Sequence, residues 1–207
     1  MIRHPNLILY LPFSGDFADA SKSANPITVT GATLTPGPKG QCGNFDGSDD
    51  FLQTSNNLGI SGTEDFSFSC WIFRDGHQDY GAPICSLNNA LTISTVWANP
   101  STTTFEFWMP PFAEVRTNAL ANSVWHHVVL SRKSGLWSAY WNGQELGFFM
   151  YTTSVASITD NPVFIGKFTD GYHFKGKLDE LCIFKGLAVS QSDAKRLMMG
   201  LAPIERR

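Results

Sequence analysis

The sequence predicts an all-β domain, built as a sandwich or barrel, that ends in one short helix. Short apolar or alternating runs recur along the chain, and glycine, proline, asparagine or aspartate separates them. Runs of this length and spacing are typical of a β-sandwich or β-barrel. Helical periodicity is almost absent, and a helix-start pattern stands near residue 190.

Ten runs are predicted as strands, and all of them are short. In chain order they are NLILYLPF, FDGSDDFLQT, FSFSCWIF, APICSL, LTISTVW, TTFEFWM, HHVVLSR, LWSAYWNG, PVFIGKF and KLDELCIF. The segment TPGPKGQCG consists of turn residues and is predicted as a loop. Because no linker, charge block or internal repeat divides the runs, we predict a single domain over residues 1–207.

The last part of the chain carries the predicted helix. In SQSDAKRLMMG, Ser190 is followed three residues later by Asp193, which is a capping-box pattern. Gly200 comes directly after the last apolar residues and is a typical helix stop. We therefore predict a short helix from Ser190 to Met199.

Composition and charge exclude several classes of protein. Of the 207 residues, 43% are hydrophobic and 16% are charged, which supplies a core and argues against disorder. The net charge of −3 argues against a nucleic-acid partner, which needs a basic surface. No apolar run is long enough to insert across a membrane. The N-terminus MIRHPNLILYLPFSGDF lacks a signal-peptide cleavage site, so no secretory leader is expected.

The four cysteines are widely and irregularly spaced. They are Cys42, Cys70, Cys85 and Cys182, without a C-x-x-C pair. This spacing does not favour zinc, and a disulfide framework is unusual in a chain of this length. Reduced thiols are therefore the expectation, and the spacing leaves any pairing open.

His126 and His127 stand side by side in a predicted strand. Successive side chains of a strand point to opposite faces, so the two imidazoles do not converge on one metal ion. We predict that the face with Trp125, His127 and Val129 points inward, with His127 hydrogen-bonded. Neither histidine is expected to be essential to a reaction.

The same stretch carries a family resemblance. VWHHVVLSRKSGLWSAYWNGQEL resembles the W-H-hydrophobic strand, short turn and Y-x-N-G hairpin of laminin-G-like, concanavalin A-like domains. Other segments resemble further family motifs in the same order: LYLPFSGDFADAS, GPKGQCGNFDGSDDFLQTS, EDFSFSCWIF and IGKFTDGYHFKGKLDELCIFKGLAVSQSDAKRLM. The resemblance is weakest between Gly81 and Arg116. It implies a jelly-roll sandwich of two antiparallel sheets, a fold that hosts enzymes, lectins and adhesion modules alike.

The residues do not favour catalysis. Glycoside hydrolysis usually needs two carboxylates that flank the bond, and concanavalin A-like hydrolases commonly carry them as E-x-D-x-x-E, which is missing here. Asp179 and Glu180 are adjacent and are expected on opposite sides of their strand. A G-x-S-x-G elbow is also missing. We therefore predict that the protein is not an enzyme.

The resemblance implies a calcium site near the first loop. SGDFADAS holds Asp16 and Asp19, and in similar domains such an aspartate meets the one that begins the last strand, here Asp179. Calcium prefers carboxylate oxygens, so we predict a structural Ca²⁺ held by Asp16, Asp19 and Asp179. The alternative is that backbone amides bind these carboxylates and pin the loop to the last strand.

A second acidic group lies in a predicted turn. Asp46, Asp49 and Asp50 stand close together in FDGSDD. Aspartates in turns commonly accept hydrogen bonds from the backbone two residues on, and this is the role expected of them.

Aromatic residues outside the family motifs are the candidate ligand contacts. They are Trp97, Trp108, Phe112 and Tyr151. Exposed aromatic rings stack on sugars or anchor protein interfaces. The segment STTTFEFWMPPFAEV is the leading region because two prolines are expected to hold Trp108 and Phe112 in an extended loop. The alternative is that these rings pack in the core.

These observations predict a non-catalytic binding or adhesion module that recognises surface glycans or a protein partner. The alternative is a decoration or tail protein of a phage or virus particle, bound to capsid or tail proteins. A domain taken from a larger secreted protein also stays open, and a glycoside hydrolase is the least favoured class. The expected location is a virion or a cell-surface assembly.

Overall fold

A computed structural model describes residues 1–60, 64–75, 82–87, 91–99, 102–109, 113–116, 120–150, 162–168 and 171–204. Within these residues the protein has two antiparallel sheets and one short helix. The predicted all-β architecture with a terminal helix is therefore confirmed. No helix in this part of the chain is long and apolar enough to span a membrane.

The strands are short, as the runs predicted. In chain order they are β1 (Leu7–Leu11), β2 (Ile27–Thr30), β3 (Thr33–Gly37), β4 (Gly40–Asp46), β5 (Phe51–Thr54), β6 (Phe66–Arg74), β7 (Ala82–Leu87), β8 (Leu91–Asn99), β9 (Thr102–Met109), β10 (Ala113–Arg116), β11 (Leu120–Ala121), β12 (Trp125–Lys133), β13 (Leu136–Trp141), β14 (Gln144–Met150), β15 (Phe164–Ile165) and β16 (Lys175–Lys185). The helix α1 is Gln191–Met198.

Each sheet has eight strands among the described residues. Sheet I has the order β14-β13-β12-β6-β16-β4-β3, and β1 also pairs with β16. Sheet II has the order β10-β9-β8-β7-β15-β5-β2, and β11 also pairs with β9. Chain neighbours in sheet II, such as β7, β8 and β9, form a meander, whereas β6 and β16 pair across more than a hundred residues.

The prediction that TPGPKGQCG is a loop is wrong for most of its length. Thr33–Gly37 and Gly40–Asp46 form a hairpin, and only the residues between them make a turn. Pro36 pairs with Gln41 and lies in β3, the last strand of its sheet. An edge strand tolerates proline because it needs no ladder hydrogen bond on its open side.

The main core lies between the two sheets. Phe68, Cys70, Val128 and Leu130 contribute from sheet I, and they alternate with residues of the opposite face. Sheet II contributes buried side chains that include Leu52, Cys85, Leu87 and Ile93. Burial of such side chains is the principal stabilising term of the fold.

Sheet I is also covered on its outer face. A second cluster joins Tyr10 and Val129 of the strands to Val189 and Leu197 around α1. Strands buried on both faces read as nearly continuous apolar runs, which explains segments such as FSFSCWIF.

The helix begins at its predicted capping box. The Asp193 amide donates to the Ser190 hydroxyl, and the Ser190 amide donates to the Asp193 carboxylate, both at 3.3 Å. The helix ends at Met199, followed by Gly200 at a φ of 79°. A left-handed residue at this position is where glycine is favoured.

All four cysteines are free and buried. Burial raises the pKa of Cys42 to about 11 and the pKa of Cys70 and Cys182 well above the usual value. These thiols therefore stay protonated at neutral pH and act as packing groups.

Candidate functional site

The two adjacent histidines lie on opposite faces of sheet I. His126 shares the inter-sheet face with Val128, whereas His127 shares the outer face with Val129. The face with His127 and Val129 is buried, as predicted, but it is the covered outer face of sheet I and not the face between the sheets.

His127 has the environment of a structural histidine. Its Nε2 lies 3.0 Å from the Ser69 hydroxyl, and its ring centroid lies 5.3 Å from that of Trp71. Burial lowers its pKa to about 3. A histidine that is enclosed in this way and neutral at pH 7 cannot act as a general acid on a substrate.

One of the two His126 ring nitrogens has a hydrogen-bond partner among the described residues. Its Nε2 lies 3.1 Å from the Ala121 carbonyl oxygen, which can only accept, so Nε2 carries the proton. Within the described part of the chain, its Nδ1 has no hydrogen-bond partner. The ring contacts that of Trp141, with centroids 4.5 Å apart and the ring planes tilted by 41°.

Asp179 and Glu180 depart from strand alternation. A bulge interrupts the pairing of β16 with β6 between Asp179 and Cys182, and Glu180 has a φ of 51°. The Lys39 amide donates to Asp179, and the Tyr10 hydroxyl donates to Glu180, so both carboxylates lie on the outer side of sheet I. The expectation that they face opposite sides is wrong because one extra residue at a bulge shifts the alternation.

This carboxylate pair does not form a hydrolase centre. Burial, and next the nearby Glu180 carboxylate, raise the pKa of Asp179 to about 7. Asp179 is fully buried, so its carboxyl group cannot reach a glycosidic bond. The pair instead belongs to the packing between β16, β1 and the β3–β4 turn.

Among the described residues, Asp16, Asp19 and Asp179 do not form a group of carboxylates with oxygens within 4.8 Å of one another. Asp19 is buried and accepts five hydrogen bonds from Tyr10, Ser21 and Asn25. Asp16 is exposed and accepts from the Ala18 amide. A carboxylate offers about four lone-pair sites, so Asp19 has little capacity left for an ion. Backbone amides bind Asp19, as the alternative expected, but they tie the loop to Tyr10 of β1 and not to the last strand.

The described residues contain one group of three carboxylates whose oxygens lie within 4.8 Å of one another, at Asp46, Asp49 and Asp50. The Asp46 amide donates to Asp50 at 2.8 Å, and the Ser48 amide donates to Asp46 at 2.7 Å. The expected backbone hydrogen bonding in this turn is confirmed. Exposed acidic turns of this kind are common without a bound ion.

One row of paired residues crosses the whole of sheet II. Its register is Thr28, Gln53, Phe164, Ser86, Thr92, Trp108 and Glu114. The neighbouring row, with Leu52, Ile165, Cys85 and Ile93, belongs to the inter-sheet core. The described side chains of the first row therefore lie on the outer face of sheet II, and we call this register row the outer row.

Two hydroxyl groups in the middle of the outer row have no hydrogen-bond partner among the residues that the structure describes. Ser86 and Thr92 are opposite each other and are 0% and 5% exposed. An unsatisfied buried polar group costs about 1–3 kcal/mol, so such a pair indicates a place where ordered water completes the bonding.

Two half-buried phenylalanine rings lie on the same face of sheet II. Phe51 and Phe164 meet edge to face with centroids 6.0 Å apart, and the Lys167 ammonium lies 4.4 Å from the Phe51 centroid. The His173 ring is 6.4 Å from Phe51. Together with Gln53 of the outer row, these residues form an amphipathic surface, which we call the aromatic patch.

The predicted aromatic contacts are only partly placed. Trp108 lies in β9 and in the outer row, so the prediction of an extended loop at Trp108 is wrong. Trp97 pairs with Thr103, so it belongs to the alternate register row and not to the outer row. The side chains of both tryptophans, and all of Phe112 and Tyr151, lie outside the described residues.

Sequence reasoning missed the aromatic patch. The alternation of Phe51 and Gln53 around Leu52 was a usable signal. Phe164 was not, because its place beside Gln53 depends on pairing between strands far apart in the chain.

Comparison with known proteins identifies the fold family. A family model described as the concanavalin A-like lectin/glucanases superfamily, Laminin_G_3, matches residues 46–194. No curated protein sequence matches the chain. Solved structures do, at identities that show the fold alone.

Domain 4 of AbnA, a GH43 extracellular arabinanase from Geobacillus stearothermophilus in complex with arabinotriose, shares 20% identity and a TM-score of 0.75. That match covers 93% of this chain and 98% of the other. The binding domain of Paraclostridial Mosquitocidal Protein 1 shares 16% identity, with a TM-score of 0.71 and coverage of 93% and 51%.

The binding domain of Botulinum Neurotoxin DC in complex with SialylT shares 15% identity, with a TM-score of 0.69 and coverage of 95% and 52%. The chain therefore spans about half the length of these two toxin domains. The family match covers most of the chain and agrees with the two-sheet architecture, so the protein belongs to the concanavalin A-like lectin/glucanase superfamily.

Proposed function

We propose that this protein is a non-catalytic binding module that recognises carbohydrate through the outer face of sheet II. The observation that carries the proposal is the placement of half-buried Phe51 and Phe164 beside half-buried Gln53 on the outer face of sheet II. Sugar rings have apolar faces that stack on aromatic rings and hydroxyls that exchange hydrogen bonds with polar groups.

The structural neighbours support a carbohydrate ligand. Two of them are solved with arabinotriose and with SialylT, and two are binding domains of toxins. Each is similar to this chain in fold. Asp179 of the adjacent Asp179–Glu180 pair is fully buried, and the sequence lacks the E-x-D-x-x-E pattern of related hydrolases, which supports a module without catalysis.

Binding to oligosaccharides tests the proposal. The protein is applied to a glycan array that includes arabino-oligosaccharides and sialylated glycans, and hits are measured by titration calorimetry. Phe164→Ala and Gln53→Ala should each weaken binding about tenfold or more, as expected of central contacts. The oligosaccharide should remain intact after prolonged incubation.

Phe73→Ala is the matched control. Phe73 is also half-buried on the outer face of its sheet and also has a lysine over its ring, with Lys177 Nζ 4.8 Å from the centroid. It lies in sheet I, so its loss should leave affinity unchanged. Equal losses for Phe73→Ala and Phe164→Ala, or release of reducing sugar, would contradict the proposal.

A location on a virion or cell surface, and partners among capsid or tail proteins, stay predictions. Co-purification of the protein with a large assembly would test them. The aromatic patch would then serve to bind glycans presented by the host or by that assembly.

A further inference from the structure

A small cavity opens beside β1, on the covered outer side of sheet I. Its volume is about 170 Å³, and Ile2, Leu7 and Ala20 form its apolar wall. These side chains belong to the cluster that covers this face of the sheet, and Ile2 and Leu7 are 2% and 4% exposed. An apolar cavity of about 150 Å³ holds one benzene molecule, so the space matches one small apolar group.

Hydrogen bonds hold both sides of this cavity in place. The Ala20 amide donates to the Tyr10 carbonyl oxygen at 2.8 Å, which fixes the first loop against β1. The Leu7 amide donates to the His4 carbonyl oxygen at 3.1 Å, and the His4 ring meets that of Phe184 edge to face, with centroids 5.8 Å apart. The cavity is therefore part of the packed structure.

The mouth of the cavity carries positive charge. Arg3 and Lys22 both line it and are both exposed. Neither forms an ion pair with a described carboxylate, and no residue of the lining is acidic. A second cavity, beside β2, has the opposite character, because Asp16 and Asp19 line it without a cation. In a chain of net charge −3, the first cavity is thus a place that favours an anionic group.

We propose that this cavity binds a small carboxylic acid with an apolar body. The ring or short chain of the acid lies against Ile2, Leu7 and Ala20, and its carboxylate lies at the mouth beside Arg3 and Lys22. Burial of the apolar body supplies most of the affinity, because a carboxylate gains little from exposed cations in water. The two cations instead select the charge of the head group.

A sugar fits this cavity poorly. Its hydroxyls would lie against the apolar wall without hydrogen-bond partners, which is costly. The one hydroxyl group of the lining, that of Ser21, already donates to the Ile8 carbonyl oxygen at 3.2 Å. The cavity is therefore a site of different chemistry from the aromatic patch, and it lies on the other sheet.

An NMR titration of the full chain with benzoate tests the proposal. The protein is prepared without an N-terminal tag, so that Ile2 and Arg3 keep their surroundings. The amide signals of Ile2, Leu7 and Ala20 should shift in a saturable way, with a dissociation constant of about 1 mM, which is ordinary for a ligand of so few atoms. Benzyl alcohol, which is neutral and similar in size, should bind about threefold to tenfold more weakly. Benzylammonium should give no saturable shift.

Variants separate the charge at the mouth from the apolar wall. The double variant Arg3→Gln, Lys22→Gln should weaken benzoate binding to the level of benzyl alcohol and leave the affinity for benzyl alcohol unchanged. Lys133→Gln removes an exposed lysine that does not line the cavity, so it should bind benzoate as the unaltered protein does. Ala20→Leu should fill the cavity and abolish binding of both compounds.

The double variant keeps the test decisive even if Ala20→Leu fails to fold, because both of its substitutions are at exposed positions. Equal affinities for benzoate and benzylammonium would overturn the proposal, as would an unchanged benzoate affinity in the double variant. Shifts confined to residues of sheet II would also overturn it. None of these outcomes bears on glycan binding at the aromatic patch.

Discussion

The Tyr10 hydroxyl donates a 2.7 Å hydrogen bond to the Glu180 carboxylate, and this contact joins β1 to the bulge of β16. Tyr10 is buried, and burial, followed by this hydrogen bond, raises the pKa of its hydroxyl. The bulge therefore presents Glu180 to β1, which pairs with β16 in the same sheet. A buried hydroxyl with a charged acceptor is a stronger pair than two neutral groups.

Removing the Tyr10 hydroxyl should lower stability without altering the fold. Tyr10→Phe should reduce the free energy of unfolding by about 1–2 kcal/mol, the range for such a hydrogen bond. Chemical denaturation of Tyr10→Phe, Glu180→Gln and the double variant measures the coupling. Strictly additive losses would show that the two groups do not interact.

His127 and His126 should differ in their effect on stability. His127→Ala should cost about 1–3 kcal/mol because it leaves the buried Ser69 hydroxyl without its ring partner, whereas His126→Ala, at a half-buried position, should be milder. Equal and negligible effects on thermal unfolding would contradict this placement.

His127→Ala should also change how the stability of the protein responds to acid. The folded pKa of His127 is lowered to about 3, so below pH 6.5 the unfolded chain binds a proton that the folded protein does not. Stability should therefore fall as the pH drops from 6.5 toward 3, by about 3 kcal/mol at pH 4. This part of the loss should be missing in His127→Ala.

Asp179 should give the opposite pH dependence. Its folded pKa is raised to about 7 from 3.8, so between these values the folded protein binds a proton that the unfolded chain has lost. Its contribution is present below pH 3.8 and is lost as the pH rises through 7. Asp179→Asn should therefore stabilise the protein by about 1–3 kcal/mol at pH 8.

At pH 4 the same Asp179→Asn change should have little effect, because the aspartate is already protonated in the folded state. Urea denaturation at the two pH values gives the comparison. A loss of stability at pH 8 would show that the negative charge is needed by the Lys39 and Glu180 amides that donate to it.

Asp19 separates the calcium prediction from its hydrogen-bond alternative. Its five accepted hydrogen bonds predict that Asp19→Ala lowers the free energy of unfolding by about 2–4 kcal/mol. Excess chelator should leave the melting temperature of the unaltered protein unchanged. A fall in melting temperature that calcium reverses would support a bound ion instead.

Local patterns predicted the features that local forces decide. The alternation through Phe68 and Cys70 marked a strand, and Ser190 with Asp193 marked the start of the helix. Both depend on residues within one element. The strand Thr33–Gly37 was not predicted, because proline is typical of a turn unless the strand is known to lie at the edge of a sheet.

Features that depend on distant pairing were not predictable in this way. The His127 face was predicted to be buried, but alternation shows only which side chains share a face and not which of two covered faces lies between the sheets. The bulge at Glu180 has no sequence signature, since a non-glycine residue adopts a positive φ there. The aromatic patch needs the register of Phe164 with Gln53, which no local pattern contains.

The register of β8 with β9 gives a test that distinguishes Trp108 from Trp97, two of the residues predicted from the sequence as ligand contacts. Trp108 stands in the outer row opposite Thr92, whereas Trp97 stands opposite Thr103 in the alternate phase. If the outer row binds glycan, Trp108→Ala should weaken binding about tenfold or more, as for an aromatic contact at the centre of an interface. Trp97→Ala, matched in residue type and in sheet, should leave the dissociation constant within about twofold.

Titration calorimetry against the best glycan measures both, and circular dichroism confirms that each variant is folded. Equal losses for the two variants would mean that register in sheet II does not select the ligand contacts, and the outer row would then be the wrong surface.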